Sequence, residues 1–217
     1  LWQRSLQEYT RSLAGQSVTS DDMRAAFERV TGRDLGWFWD QWVYGSGYPV
    51  LAIRHTFDEK EHVLSIDVDQ VQPVSPAMPL FVLPVEVAWV DAAGKATVRR
   101  LEVCRQRHHW RFACSAKPAY VRFDPDGALA ARLDERADIE EWRAQLAGDH
   151  SIIGRILAAE ALAGLGTDAI SALEQAARGD TPFEVRKAAC QALAKIDGEA
   201  AGTALISVAT GDADSRV

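Results

Sequence analysis

Cysteine is scarce: Cys104, Cys114 and Cys190 are the only three in 217 residues. An odd, scattered set is no disulfide framework. Cys104 and Cys114 are placed to face each other across a hairpin, but buried free thiols in a reducing compartment are the expected state. Long apolar runs are missing too, and none approaches the roughly 20 residues that cross a bilayer. No signal peptide is visible. Lys and Arg number 24 against 31 Asp and Glu, a net charge of -7. No basic cluster interrupts that acidity, which excludes nucleic acid as a partner, since phosphate binding needs concentrated positive charge. A Gly-rich phosphate loop, a serine nucleophile elbow and a paired-cysteine motif are all absent. An initiator methionine is absent as well: LWQRSLQEYTRSL begins already in helical period and GDADSRV opens a new unit, so a piece of a longer chain is expected.

What is present falls into three stretches. Residues 1–46 carry helical patterns. Trp2, Leu6, Tyr9 and Leu13 recur at helical spacing, and Gly15 ends the stripe. Thr19 or Ser20 can cap a second helix, with Asp21 and Asp22 favourable in its first turn and Gly32 as its stop. Asp34 can cap a third, LGWFWDQWVYG, crowded with Trp37, Phe38, Trp39 and Trp42. Those aromatics are expected to be a hydrophobic joint between domains rather than a recognition surface.

Residues 47–126 change to alternation. Leu51, Ile53 and His55 share one strand face, and Leu64, Ile66 and Val68 share another after the polar turn DEKE. Pro73, Pro76 and Pro79 mark a loop or an edge. Val85, Val87 and Trp89 alternate; Val98, Leu101 and Val103 do so less cleanly; HHWRFAC and AYVRFD follow. Six or seven short strands separated by turns predict an antiparallel sandwich. His108 and His109 are expected at a hairpin turn flanked by Cys104 and Cys114; neighbours in a strand point to opposite faces, so the pair is a poor metal site.

Residues 127–217 are alanine-rich and helical in pattern. ALAARLDERADIEEWRAQLAG predicts a first amphipathic helix on Leu129, Leu133, Ile139 and Leu146. Its acidic run 134–141 is expected to be a solvated helix face. A repeat follows: GDHSIIGRILAAEALAGLG from Gly148 aligns with GDTPFEVRKAACQALAKID from Gly179, 31 positions on. Asp149 matches Asp180, Arg155 matches Arg186, Ala158 matches Ala189 and Leu162 matches Leu193, and a third copy opens at Gly211. A residue that recurs in each unit is expected to serve stacking or capping, so Arg155 and Arg186 are read that way before any role in binding a substrate carboxylate.

Two resemblances attach to these residues. The pattern from Asp180 through Val185, Arg186, Ala189 and Ala192 to Leu193 resembles HEAT-type repeats. The segment Leu35–Leu51, with Trp42, Gly47, Pro49 and Leu51 in a W-x4-G-x-P-x-L pattern, resembles the end of the catalytic domain in gluzincin-type zinc aminopeptidases, the alanyl aminopeptidase and leukotriene-hydrolase-like family. KPAYVRFDPDG is similar to that family's last sandwich strand. The resemblance implies an α+β multidomain order: the last helices of a metallopeptidase domain (1–46), an antiparallel β-sandwich (47–126) and a truncated HEAT-like α-helical solenoid (127–217). It implies a parent hydrolase that removes N-terminal residues from peptides with zinc held in H-E-x-x-H and a later Glu. None of the five histidines, His55, His62, His108, His109 and His150, lies in such a motif, and the family's G-x-M-E-N loop is absent. No catalytic, cofactor or metal residue of the family can therefore be placed here; zinc is expected in the rest of the catalytic domain, which with peptide substrates is the expected partner. The alternative is a non-catalytic HEAT-repeat scaffold from a relative that has lost its zinc site. The lack of a disulfide pattern favours a cytoplasmic setting.

Overall fold

The computed structural model describes residues 1–76, 78–212, 214, 216 and 217. They form two compact units: residues 1–49 with 72–81, and residues 50–71 with 82–217.

In the first unit, α1 (Trp2–Ser12), α2 (Ser20–Thr31) and α3 (Gly36–Trp39) follow one another, and a π-helical turn (Asp40–Tyr44) extends α3. Thr19 is the cap of α2: its hydroxyl accepts from the Asp22 N–H while the Asp22 carboxylate accepts from the Thr19 N–H, satisfying two orphan donors reciprocally. Gly32 closes the helix in the left-handed region. Little is buried. Ala26, Phe27 and Trp39 are enclosed, Trp39 packing edge-on against Phe27 and donating its indole N–H to the Ser20 carbonyl at 2.9 Å. Trp37 and Phe38 stay exposed, and Trp42 packs on Phe81. Gly47 has φ +80°, and a Cβ there would run into the Met78 side chain. That backbone shape and close approach are why a glycine precedes Tyr48 and Pro49.

The second unit holds seven strands and the remaining helices. The strands are β1 (Val50–Asp58), β2 (Val63–Gln70), β3 (Leu83–Val90), β4 (Ala96–Val103), β5 (Arg107–Ala113), β6 (Tyr120–Phe123) and β7 (Arg132–Arg136). They make a four-stranded sheet, β5-β2-β1-β7, and a three-stranded antiparallel sheet, β4-β3-β6. The alternation expected from sequence sets the register: Ile53 lies opposite Val68 and Leu64 opposite Phe57, with Leu51, Ile53, Leu64, Ile66 and Val68 buried. Trp89 of β3 meets Phe112 of β5 at 5.1 Å between ring centroids.

Two expectations need correction. Residues 132–136 are not part of a helix. They form β7, which pairs parallel to β1 from Val50↔Arg132 to Arg54↔Arg136, so the larger sheet is mixed. Locally, Leu133 and Glu135 alternate with Arg132, Asp134 and Arg136; the open edge of β1 offers backbone partners that outweigh the helical preference of the alanine-rich surroundings. The helix begins only at Ile139. His108 and His109 are likewise not at the turn, which spans 104–106, but inside β5.

Five α-helices follow: α4 (Ile139–Gly148), α5 (Ile152–Ala163), α6 (Ile170–Gly179), α7 (Phe183–Leu193) and α8 (Glu199–Ala209). α5 packs on α7 while α4 packs on α6 and α6 on α8, giving two layers. The sequence-equivalent pairs Ala158/Ala189 and Leu162/Leu193 are all buried in one cluster. The small Ala158 and Ala189 let the helices approach closely, while Leu162 and Leu193 fill the space between them. Of the third copy expected from Gly211, Ala213 and Ser215 lie outside the described residues. Ile66→Ala, at a fully buried strand position, is expected to cost about 2–5 kcal/mol. Val98→Ala on β4, 45% exposed, is expected to cost less than about 0.5 kcal/mol; urea unfolding of both variants checks the contrast.

Candidate functional site

A series of arginine–aspartate pairs links the sheet and the successive helical repeats. Arg155 on α5 donates to Asp180, in the turn before α7, at 2.8 Å. Arg186 on α7 donates through Nε and Nη2 to both oxygens of Asp212, at 2.6 and 3.1 Å. Each repeat's arginine thus reaches the aspartate that opens the next repeat. The first rung is supplied by the sheet: Arg122 of β6 pairs with Asp149, the aspartate between α4 and α5. Arg122 also donates to the Pro125 carbonyl, and Asp149 accepts from the Ser151 N–H.

The last two aspartates differ in their surroundings. Burial pushes the Asp180 carboxyl up, against the pull of Arg155. The hydrogen bond from Arg186 holds Asp212 below the usual carboxylate range. Among the described residues, Arg155 Nε is a buried side-chain nitrogen without a hydrogen-bond partner. It lies beside a cleft of ≈ 790 Å³ lined by α4 and α6, with Arg143, Arg155 and Asp180 among its walls. Charge in that cleft is balanced, because Glu140 holds Arg143 and Asp180 holds Arg155.

A glycine makes the first rung possible. Gly154 sits in the first turn of α5, and a Cβ there would overlap the Asp149 carboxylate and the Arg122 guanidinium. Its carbonyl accepts from the buried Gln145 side chain at 2.8 Å. The aligned position in the next repeat is Val185, so the glycine belongs to the junction with the sheet and not to the repeat.

Beside this rung lies a second polar group. His55, on the buried face of β1, meets Glu141 of α4 at 2.5 Å, both side chains about a tenth exposed. Lys117 stands near Glu141 and Asp138. Glu135 of β7 accepts from the Phe123 N–H, and enclosure of its carboxyl group raises its pKa to about 7 despite nearby Arg122 and His55. The acidic run 134–141 is therefore split. Asp134, Asp138 and Glu140 are exposed, whereas Glu135 and Glu141 turn inward against the expectation of a solvated helix face. Strand alternation across 132–136 was the available signal.

The remaining sequence candidates are separated. His108 Nε2 accepts from the Cys104 and Arg105 N–H groups and its ring stacks on Trp110, with burial lowering its pKa. His109 is exposed and pairs with Asp67 at 2.8 Å. All three cysteines are free and half-buried. Among the described residues, no group of three or more His, Cys, Asp or Glu is arranged to hold a metal ion, and no helix is long and apolar enough to cross a membrane.

Comparison with known proteins adds to this. A family model described as HEAT repeats matches residues 139–217. Over 67 residues the chain is 37% identical to transcription initiation factor TFIID subunit 2 of Saccharomyces cerevisiae, covering 31% of this chain and 5% of that protein. Over 96 residues it is 33% identical to aminopeptidase N of Haemophilus influenzae, covering 43% of this chain and 11% of that protein. A crystal structure of Legionella pneumophila aminopeptidase A in complex with aspartic acid superposes with a TM-score of 0.68 at 14% identity, over 95% of this chain and 27% of that one. The chain therefore shares an aminopeptidase's fold along nearly its whole length but spans only a small part of each of these proteins.

Two substitutions test the ladder. Arg155→Met leaves Asp180 without its cation and is expected to cost about 3 kcal/mol or more, with Asp180→Asn in the same chain restoring part of the loss. Gly154→Ala is expected to cost about 1–3 kcal/mol by overpacking the first rung. Both are read by chemical denaturation.

Proposed function

We propose that this chain is the non-catalytic C-terminal part of a gluzincin-type zinc aminopeptidase, with domain limits at 1–46, 47–126 and 127–217. In this reading residues 1–46 are the last helices of the catalytic domain, the two sheets form a β-sandwich spacer, with β7 returning to it from the helical side, and the HEAT-like helices cover the peptide-hydrolysing domain. The observation that carries it is the shared order of elements with an aminopeptidase over 95% of the chain. The 33% identity to aminopeptidase N and the Trp42, Gly47, Pro49, Leu51 pattern support it further. The first unit fits the same reading: with Ala26, Phe27 and Trp39 as the buried apolar residues of its helices and Trp2, Trp37, Phe38 and Tyr44 exposed, it has too little core for independent stability. The rest of the catalytic domain is its partner.

Zinc chemistry, in this reading, belongs to that remaining part, where a bound metal activates water and polarises the scissile carbonyl. The residues of this chain do something else. The Arg122, Arg155 and Arg186 rungs fix the pitch of the helical cover, and the cover restricts entry to short peptides.

A second reading is favoured by the 37% identity to TFIID subunit 2. In that reading this chain is an interaction scaffold, with the helical array as its binding surface and no zinc chemistry in the parent.

Zinc content and cleavage of a panel of aminoacyl reporter substrates, on this chain and on the longer parent, separate the two. The aminopeptidase reading expects about one zinc and activity in the parent, and neither in this chain. A parent without zinc or activity supports the scaffold, and an active 217-residue chain overturns both. Removing residues 128–217 from an active parent is expected to relax peptide-length selection with zinc retained; an unchanged length profile overturns the covering role.

A further inference from the structure

β4 is an outer strand of the three-stranded sheet, paired with β3 and with no strand on its other side among the described residues. It is 8 residues long, and its register runs unbroken from Leu83↔Val103 to Val90↔Ala96. Edges of this kind are commonly blunted by a proline or a bulge; β4 has neither.

Hydrogen bonds around β3 identify the groups that lie open. The Asp124 N–H donates to the Glu86 carbonyl and the Ala119 N–H to the Val90 carbonyl, so Glu86 and Val90 turn their backbone towards β6. Pro84, which has no N–H to give, falls in the same set. At the hairpin the Asp91 N–H donates to the Lys95 carbonyl at 3.1 Å. The odd-numbered residues of β3 therefore bond to β4, through Thr97, Arg99, Leu101 and Val103. Ala96, Val98, Arg100 and Glu102 turn their N–H and C=O groups outward, and their side chains are exposed. With no strand beside it, the Val98 carbonyl accepts from the Arg99 guanidinium at 2.9 Å.

Charge selects what can pair there. Lys95, Arg99, Arg100, Arg105, Arg107 and Arg111 are spaced along the stretch 95–111 with Glu102 as its one carboxylate, in a chain of net charge -7. On β5, Arg107 and Arg111 already meet Asp69 and Glu61. On β4, Arg100 reaches Glu86 at 2.6 Å but stays 88% exposed. Arg99 has a ring in place of an acid, 5.6 Å from the centre of Trp89. A second copy of this chain would set like charges side by side. Spaced and partly paired cations also offer no dense field to a phosphate backbone. A strand that carries carboxylates meets neither obstacle.

We propose that β4 is a docking edge for an extended, acidic segment of a partner protein, added to the sheet as a new outer strand. Its backbone bonds to Ala96, Val98, Arg100 and Glu102, and its carboxylates lie beside Arg99 and Arg100. Main-chain bonds supply affinity in this mode, and the side chains supply selection. The edge serves either reading of the parent.

A fluorescent peptide of alternating Glu and Val, matched in length to β4, tests this on the whole chain. A Lys–Val peptide and a single-stranded DNA of similar length are the comparisons. The Glu–Val peptide is expected to bind at least about 10-fold more tightly than either, and to slow amide exchange at Ala96, Val98, Arg100 and Glu102. Val98→Pro removes an outward N–H where an edge strand tolerates proline, and is expected to weaken binding about 10-fold. If Val98→Pro does not fold, N-methylation of the peptide decides. Methyl groups on one alternate set of its amides are expected to abolish binding, and on the other set to leave it intact. No binding of the Glu–Val peptide, no preference for it over the Lys–Val peptide or the DNA, or binding without slowed exchange on β4 overturns the proposal. Self-association of the chain that Val98→Pro removes assigns the edge to a second copy and overturns it too.

Discussion

The pairing of Arg122 with Asp149 is the constraint from which the rest of the second unit follows. A guanidinium this deeply enclosed needs a carboxylate close by, because an unpaired buried charge costs several kcal/mol. The pair fixes how near the α4–α5 turn lies to β6. That nearness demands a residue without a side chain at 154. With α5 so placed, Arg155 is aimed at the next turn and meets Asp180; α7 in its turn aims Arg186 at Asp212. The sheet thus acts as the first member of the helical series, contributing one arginine in the position a preceding repeat would fill.

Apolar and ionic contacts divide the work in this array. The alanines and leucines between the layers supply the area removed from water, which is the favourable term. The arginine–aspartate rungs add little net stability once their desolvation is counted. Their contribution is register: a one-turn slip of α5 on α7 would leave Arg155 and Asp180 unpaired. Hence the repeat conserves geometry between its own copies at the positions where charge is buried, while the outward positions of the helices differ freely.

The chain's buried ionisable groups are engaged with one another across element boundaries, His55 with Glu141 and Arg122 with Asp149. Each pair thereby ties α4 or the turn after it to a strand of the sheets. Both proposed readings, covering region and scaffold, accommodate such a tie.

The sequence by itself determined what depends on near neighbours along the chain. Period-two alternation placed Leu51, Ile53 and His55 on one face; the 31-residue offset paired Asp149 with Asp180 and Arg155 with Arg186; Thr19 and Gly32 bounded α2. It also pointed to stacking or capping as the role of the repeated arginines. Residues 132–136 misled, because alanine on either side and an acidic run favour a helix locally, and the strand exists only because β1 offers an open edge 82 residues earlier in register, at Val50 for Arg132. The inward turn of Glu135 and Glu141, the place of His108 and His109 inside β5, and the identity of Arg122 as the first rung were likewise decided by the tertiary structure. Periodicity shows which face a residue shares with its neighbours, but a buried charge takes its meaning from a partner distant in sequence, and only the folded chain brings the two together.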